Sequence, residues 1–136
     1  MSLFNVFDIA GTSLSAQSVR LNTIASNLAN AGVVSDKPEG LYRPRYPVFA
    51  TVMDNAQTSM AAGVRVDGIV ESAAEPRKEF APGHPMADED GYIYRSNINS
   101  VEEMANMISA SRSYQSSIEA MNTTKQLIMR TLSLGQ

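Results

Sequence analysis

Two apolar repeats, one at each end of the chain, constrain this fold more than any other feature. In the first, Leu3, Phe7, Ala10, Leu14, Gln17, Leu21, Ile24, Leu28 and Ala31 alternate four and three residues apart without a break. That spacing is a heptad seam with one polar member, Gln17. Ser2 can cap the start, and Gly32 follows as a stop. A helix over this arm spans about 45 Å at 1.5 Å per residue. In the second arm, Met104, Met107, Ser111, Tyr114, Ile118, Met121, Lys125, Ile128 and Leu132 repeat the period, weakened at Ser111 and Lys125. Ser100 with Glu103 reads as a capping box, and Glu102 and Glu103 suit the positive end of a helix. Gly135 closes the pattern.

Between the arms the composition changes. Residues 1–32 carry two charges, Asp8 and Arg20, and residues 100–136 carry six, whereas residues 33–99 carry seventeen and all six prolines. In the middle, Tyr46, Val48, Ala50 and Val52 alternate, as do Val64, Val66 and Val70, which predicts two strands able to pair as a hairpin with a long loop. Ala61-Ala62-Gly63 reads as a turn before the second strand, and Pro44 and Pro47 push the first towards an edge. The stretch from Glu75 to Gly91 reads as an extended loop, and Tyr92-Ile93-Tyr94 as a third short strand. The expected fold is α+β: an N-terminal helix over 1–32, a β-rich and loop-bearing middle over 33–99, and a C-terminal helix over 100–136, the two helices forming a coiled coil, parallel or antiparallel.

The first arm also has an unusual second face. Asn5, Thr12, Ser13, Ser15, Ser18, Asn22, Thr23, Ser26, Asn27 and Asn30 are small, polar and uncharged. A surface helix ordinarily turns charge to solvent. This face can be packed without burying a formal charge, the expensive case. A well-buried Leu, Ile, Phe or Met contributes about 1.5–3 kcal/mol, but ordering each helical residue costs roughly 1–2 kcal/mol in backbone entropy. One contact between two helices leaves that balance close. Further copies packed on the small polar face would supply the missing burial, with the arms partly disordered in the free chain and folding on assembly. A lone two-helix hairpin capped by a small sheet is the plainer reading of the same periodicity.

Several function classes are disfavoured. A net charge of −3 does not provide the dense basic surface that nucleic acid requires. Without cysteine there is no disulfide and no thiolate metal site. No run of about 18 apolar residues predicts a transmembrane segment. The opening Met-Ser-Leu-Phe-Asn-Val-Phe-Asp lacks the basic and apolar regions of a cleaved signal peptide. The one histidine, His84, lies in Pro82-Gly83-His84-Pro85 with no triad partner nearby in sequence. Asp88-Glu89-Asp90-Gly91 faintly resembles a calcium loop, but Asn97 stands where the closing carboxylate belongs, so a solvated acidic turn with Gly91 at positive φ is expected. Neither Gly11 nor Gly63 opens a phosphate loop. No catalytic residue, metal site, cofactor or small-molecule substrate is expected.

Specific segments resemble a known family. Ile24-Ala25-Ser26-Asn27-Leu28-Ala29-Asn30-Ala31 is similar to the N-terminal signature of flagellar rod and hook proteins, and Ser109-Ala110-Ser111-Arg112-Ser113-Tyr114-Gln115 to their C-terminal signature. Phe7-Asp8-Ile9-Ala10-Gly11, Asp90-Gly91-Tyr92, Glu102-Glu103-Met104, the ending Leu132-Ser133-Leu134-Gly135-Gln136 and the short middle resemble the proximal-rod members. The resemblance implies a subunit of the bacterial flagellar basal-body rod. Its terminal helices would line a hollow, helically assembled, torque-transmitting shaft in the periplasm. Partners would be further copies, other proximal and distal rod subunits, and the flagellar type III export apparatus, which takes unfolded chains without cleaving a signal. The assembly interface expected from this combines Leu3, Phe7, Leu14, Leu21, Ile24, Asn27, Leu28 and Asn30 with Met104, Met107, Arg112, Tyr114, Ile118, Met121, Ile128 and Leu132. Asn27, Asn30 and Arg112 would bond between subunits. The rival reading, from another class, is a soluble coiled-coil adaptor or export chaperone.

Overall fold

A computed structural model describes residues 3–53 and 62–134. It is α+β, with a long helix at each end and two small sheets between them. Helix α1, Leu3–Asn30, has 28 residues and is about 42 Å long. Helix α2, Ser100–Leu134, has 35 residues and is about 52 Å long. The proposed Ser2 cap and Gly135 stop lie outside the described residues. Helix α1 does end beside Gly32, but among the described residues only Gly91 has a positive φ, so the stop is not a left-handed glycine cap. Instead Asn30 Nδ2 donates back to the Ser26 carbonyl at 2.8 Å, and the Val33 N–H to the Asn30 carbonyl at 3.2 Å.

The start of α2 corrects the capping-box reading. The cap is Asn99, whose Oδ1 accepts from the Val101 N–H at 3.1 Å and, more weakly, from that of Glu102 at 3.5 Å. Glu103 is turned inward and bonds across to α1, so it cannot reach back to the cap.

The two helices pack against each other antiparallel. Asn27 meets Glu103 and Ser13 meets Ser117, the same two heptads apart on each helix but in opposite directions. On α2 this line of contact is rotated by one residue from half of the expected seam. Glu103, Ala110 and Thr124 are buried, and Ser117 between them is half-buried, while Met107, Tyr114, Met121 and Ile128 form the flanking, half-buried row. Met104 is 47% exposed and Leu132 65%; Ile118 and Lys125 are also exposed, and Ser111 is half-buried. The reason is size. Small side chains at 110, 117 and 124 let the backbones approach, and the facing stretch of α1 is equally small: Ala10, Gly11, Ser13 and Ala16. A Cβ added at Gly11 would already meet the Met121 methyl at 3.8 Å. A residue count driven by apolarity finds the large side chains, and here those flank the contact.

Buried polar groups in this seam satisfy themselves. The hydroxyls of Thr23 and Thr124 each donate to the carbonyl four residues back, at 2.8 Å. The Ser117 hydroxyl donates to the Ser113 carbonyl at 3.0 Å, which leaves Ser13 to donate to the Ser117 oxygen at 3.0 Å. Gln17, the polar member of the α1 repeat, is the exception: its buried Oε1 has no partner among the described residues.

The expected hairpin is present. Strand β2, Arg45–Met53, pairs antiparallel with β3, Ala62–Glu71, from Arg45↔Glu71 to Met53↔Ala62. The register shifts between Val48 and Phe49, leaving Asp67 as the extra residue of a bulge. Pro47 is tolerated because both strands of a two-stranded sheet are edges. Ala62 and Gly63 belong to the strand, not to a turn, and residue 61 lies outside the described residues. The second sheet has the order β1-β5-β4, from Val34–Ser35, Tyr92–Arg95 and Arg77–Phe80. Tyr92–Arg95 is the expected third strand; the other two were hidden, β4 because all four of its residues are exposed and three are charged, β1 because it is two residues long. Gly91, φ 80°, makes the tight approach before β5, where a Cβ would come within 3.1 Å of Pro82 and 3.2 Å of Phe80.

The hairpin lies along α1, running opposite to it in β2. Near one end Arg45 is held by Asn27; near the other the Val64 N–H donates to Thr12 Oγ1 at 3.3 Å. From residue 27 to 12 is about 22 Å of helix, and from residue 45 to 51, the partner of Val64, is about 20 Å of strand. The two elements therefore match in length.

Candidate assembly interface

The best-defined polar site of the chain is centred on Asn27, whose exposure is 0%. Its Nδ2 donates to the Arg45 carbonyl at 2.9 Å and to Glu103 Oε2 at 3.0 Å. Its Oδ1 accepts from the Arg45 N–H and from the Tyr42 hydroxyl, both at 2.9 Å. The carboxamide thus stands where a neighbouring strand's peptide group would stand, reading both the N–H and the C=O of the first residue of β2. All four of its hydrogen-bonding positions are used. One side chain joins α1, α2, the loop at Tyr42 and the hairpin. Asn27, expected from the sequence to bond between subunits, instead uses its whole carboxamide within its own chain; low-dielectric burial makes those polar groups the partners it must satisfy.

Burial pushes the Tyr42 hydroxyl above its ordinary pKa; the Arg45 guanidinium opposes this, and the Glu103 and Glu71 carboxylates add to it. Tyr46 is raised too, by burial first and then by Glu103 and Glu102. Tyr42 thus stays a neutral donor to Asn27 through the physiological range. Arg45 is held over the Tyr42 ring, 5.5 Å from its centroid, and pairs with Glu71 at 2.8 Å. Beside this cluster a groove of about 240 Å³ opens between α1, β2 and the start of α2. Ile24, Tyr46, Pro47 and Phe49 supply its apolar lining, with Arg20, Arg45, Glu103 and Asn106.

The remaining expected interface residues divide into three groups. Ile24 is buried within the chain; Leu14, Leu21, Leu28, Asn30, Met107, Tyr114, Met121 and Ile128 are half-buried. Phe7, Met104, Arg112, Ile118 and Leu132 are exposed. Leu3 opens α1, and its side chain lies outside the described residues. The sequence reading missed other exposed apolar positions. On α2 these are Val101, Ile108, Leu127 and Met129, and on the hairpin Tyr46, Val48, Phe49, Ile69 and Val70. Their signal was present: strands with apolar residues on both faces need two coverings. Inside the chain, by contrast, the only large apolar side chains buried among the described residues are Ile24, Leu41, Ile93 and Ile98.

His84 Nδ1 accepts from the Met86 N–H at 3.1 Å within its loop. Asp88 Oδ1 accepts from the N–H groups of Asp90 and Tyr92, at 3.1 and 2.7 Å, so the acidic turn is an Asx-type turn. No described helix is long and apolar enough to cross a membrane.

Long paired helices with outward apolar surface describe a subunit built for contact, and comparison with known proteins gives that description a class. Residues 7–34 match the family of flagella basal body rod proteins, and residues 89–134 match the C-terminal family of flagellar basal body rod FlgEFG proteins. The two spans hold most of α1 and all of α2. The class is that of structural rod proteins of the flagellar basal body, not enzymes. Over all 136 residues, and over the full length of each relative, the chain is 49% identical to the flagellar basal-body rod protein FlgC of Yersinia enterocolitica and 47% to that of Salmonella typhimurium. The FlgC of Buchnera aphidicola subsp. Baizongia pistaciae is 35% identical over the same span. The chain belongs to the FlgC family.

Proposed function

We propose that this chain polymerises helically within the basal-body rod, its terminal helices forming the coiled-coil wall of a hollow shaft that transmits torque. The observation that carries this reading is an inversion of ordinary burial. Nineteen large apolar side chains are exposed among the described residues, against four that are buried. Scattered exposed apolar residues are normal, but here Val101, Met104 and Ile108 form a stripe on α2, and six more crowd the hairpin. Contacts that repeat head to tail without closing produce an open filament, and helices along the shaft spread its load. Neighbours are further copies and other proximal and distal rod subunits. The divisions at 32/33 and 99/100 separate the wall-forming helices from a middle that contacts neighbouring subunits. The chain reaches the periplasm unfolded, through the flagellar type III export apparatus.

In flagellated cells lacking the native gene, the full chain is expected to restore rods and swimming, and a chain without residues 1–30 to restore neither. Normal rods from the truncated chain would overturn the reading, as would normal swimming with no chain supplied.

A further inference from the structure

We propose that the groove between α1, β2 and α2 receives the N-terminal turns of α1 from a second copy, seating Phe7 on the apolar lining and pairing Asp8 with Arg20. The inference rests on the assembly reading above and specifies one of its contacts. The groove has apolar lining from Ile24, Tyr46, Pro47 and Phe49, and Tyr46 and Phe49 are themselves exposed, so the lining is uncovered in the single chain. Its charges are unequal in their freedom. Arg45 pairs with Glu71, and Glu103 accepts from Asn27. Arg20 enters none of the ion pairs among the described residues. A guanidinium on the rim of an apolar groove fits an acidic segment that also carries large apolar side chains.

Within this chain that description selects one stretch. Phe4, Phe7 and Asp8 share a face of α1 at i, i+3 and i+4, and all three are exposed. Asp8 enters no ion pair among the described residues. Among the exposed carboxylates of the two α-helices and the strands, the others fit less well. Asp67 and Glu79 already pair with Arg65 and Arg95. Glu102 adjoins Glu103 at the groove itself, and the helical neighbours of Glu119, Gln115 and Asn122, are polar. Asp8 and Arg20 are also the only charges of α1, one acid and one base. Bringing one copy's Asp8 to the other's Arg20 on parallel helices offsets the copies by about 18 Å, a head-to-tail step that does not close on itself.

The absence of native cysteine makes the contact testable by disulfide trapping in assembled rods. Cells lacking the native gene would express two forms together, Phe7→Cys and Phe49→Cys, so that a disulfide joining residues 7 and 49 must be intermolecular. Bridging needs Cα atoms within about 7 Å; the 7–49 linked peptide is expected by mass spectrometry, and no 7–80 peptide from Phe7→Cys with the exposed Phe80→Cys. In the trapping background, Asp8→Lys or Arg20→Glu alone should lower the 7–49 yield roughly tenfold, and the two reversals together should restore it, because opposed charges set such contacts. Cells that swim but give no 7–49 link overturn this contact while leaving the rod reading intact. A link whose yield ignores the single reversals overturns the Asp8–Arg20 pairing. Cells that swim with no chain at all overturn the assembly reading itself.

Discussion

The seam between the helices and the outer face of α2 are made of opposite materials. Inside are Ser13 against Ser117, Ala110, Thr124, and Asn27 against Glu103. Outside are Val101, Met104, Ile108, Met129 and Leu132. In a self-sufficient globule the assignment is the reverse, since burial of large apolar side chains is the main driving term. The difference teaches that the seam supplies close approach and register, while most of the large apolar side chains among the described residues are left uncovered by the chain itself. A polar group fully satisfied in such a seam fixes one arrangement and penalises every other.

If the seam is a register device, its polar centre should be the costliest place to disturb. Asn27→Ala strips partners from the Tyr42 hydroxyl, both backbone groups of Arg45 and the buried Glu103 carboxylate, which is 3% exposed. Each unsatisfied buried group costs about 1–3 kcal/mol, so the variant should lose roughly 3 kcal/mol or more. Denaturant unfolding of the purified chain measures this. A loss below about 0.5 kcal/mol, the level of an ordinary surface substitution, would show that the cluster is incidental.

How much of this could be read from the chain itself differs by element. Both helices, the pairing of β2 with β3 and the Gly91 turn follow from local signals: period, alternation, and a glycine after an acidic turn. The identity of the packed row on α2 does not. Moving from Met104 to Glu103, or from Ile118 to Ser117, rotates the view by one residue, about 100°, and apolarity points to the wrong side of that step. The seam row is legible only once the small face of α1 is placed opposite it, which is long-range information. Asn27 shows the same limit. Its place in Ile24–Ala31 marked it as notable, but nothing local says that its carboxamide caps β2, whose first residue is eighteen positions away. Of the expected interface residues, the exposed ones (Phe7, Met104, Arg112, Ile118, Leu132) are placed where a neighbour could reach them; Asn27 is not, and Ile24 offers only the edge that lines the groove.

A second substitution tests the size argument. Ala110 has no exposed surface, and Ala110→Leu adds three carbons where the backbones approach closely. Overpacking of this kind costs typically about 1–3 kcal/mol, so thermal unfolding should shift downward by an intermediate amount, less than for Asn27→Ala. If the change stabilised the helix pair, close approach would not be what the small residues provide, and an apolar seam would have served as well.

The smallest effect on folding is expected where apolarity is highest, and this is the sharpest form of the comparison. Met104 and Ile108 are 47% and 57% exposed, so replacing both with lysine removes little that the single chain buries. Such surface changes usually stay within about 0.5 kcal/mol, and the unfolding midpoint of the purified chain should barely move. Assembly should respond in the opposite sense. Two ammonium groups placed in an apolar contact must be desolvated without partners, which costs far more than the same groups cost in water. Cells carrying Met104→Lys with Ile108→Lys should therefore export a stable chain, accumulate no complete rods by electron microscopy of basal bodies, and fail to swim. Two results would break the inside–outside contrast. One is a large loss of stability, which would mean that the stripe supports the fold. The other is normal swimming, which would mean that no neighbour covers it and that the apolar residues of α2 have no partner in the rod.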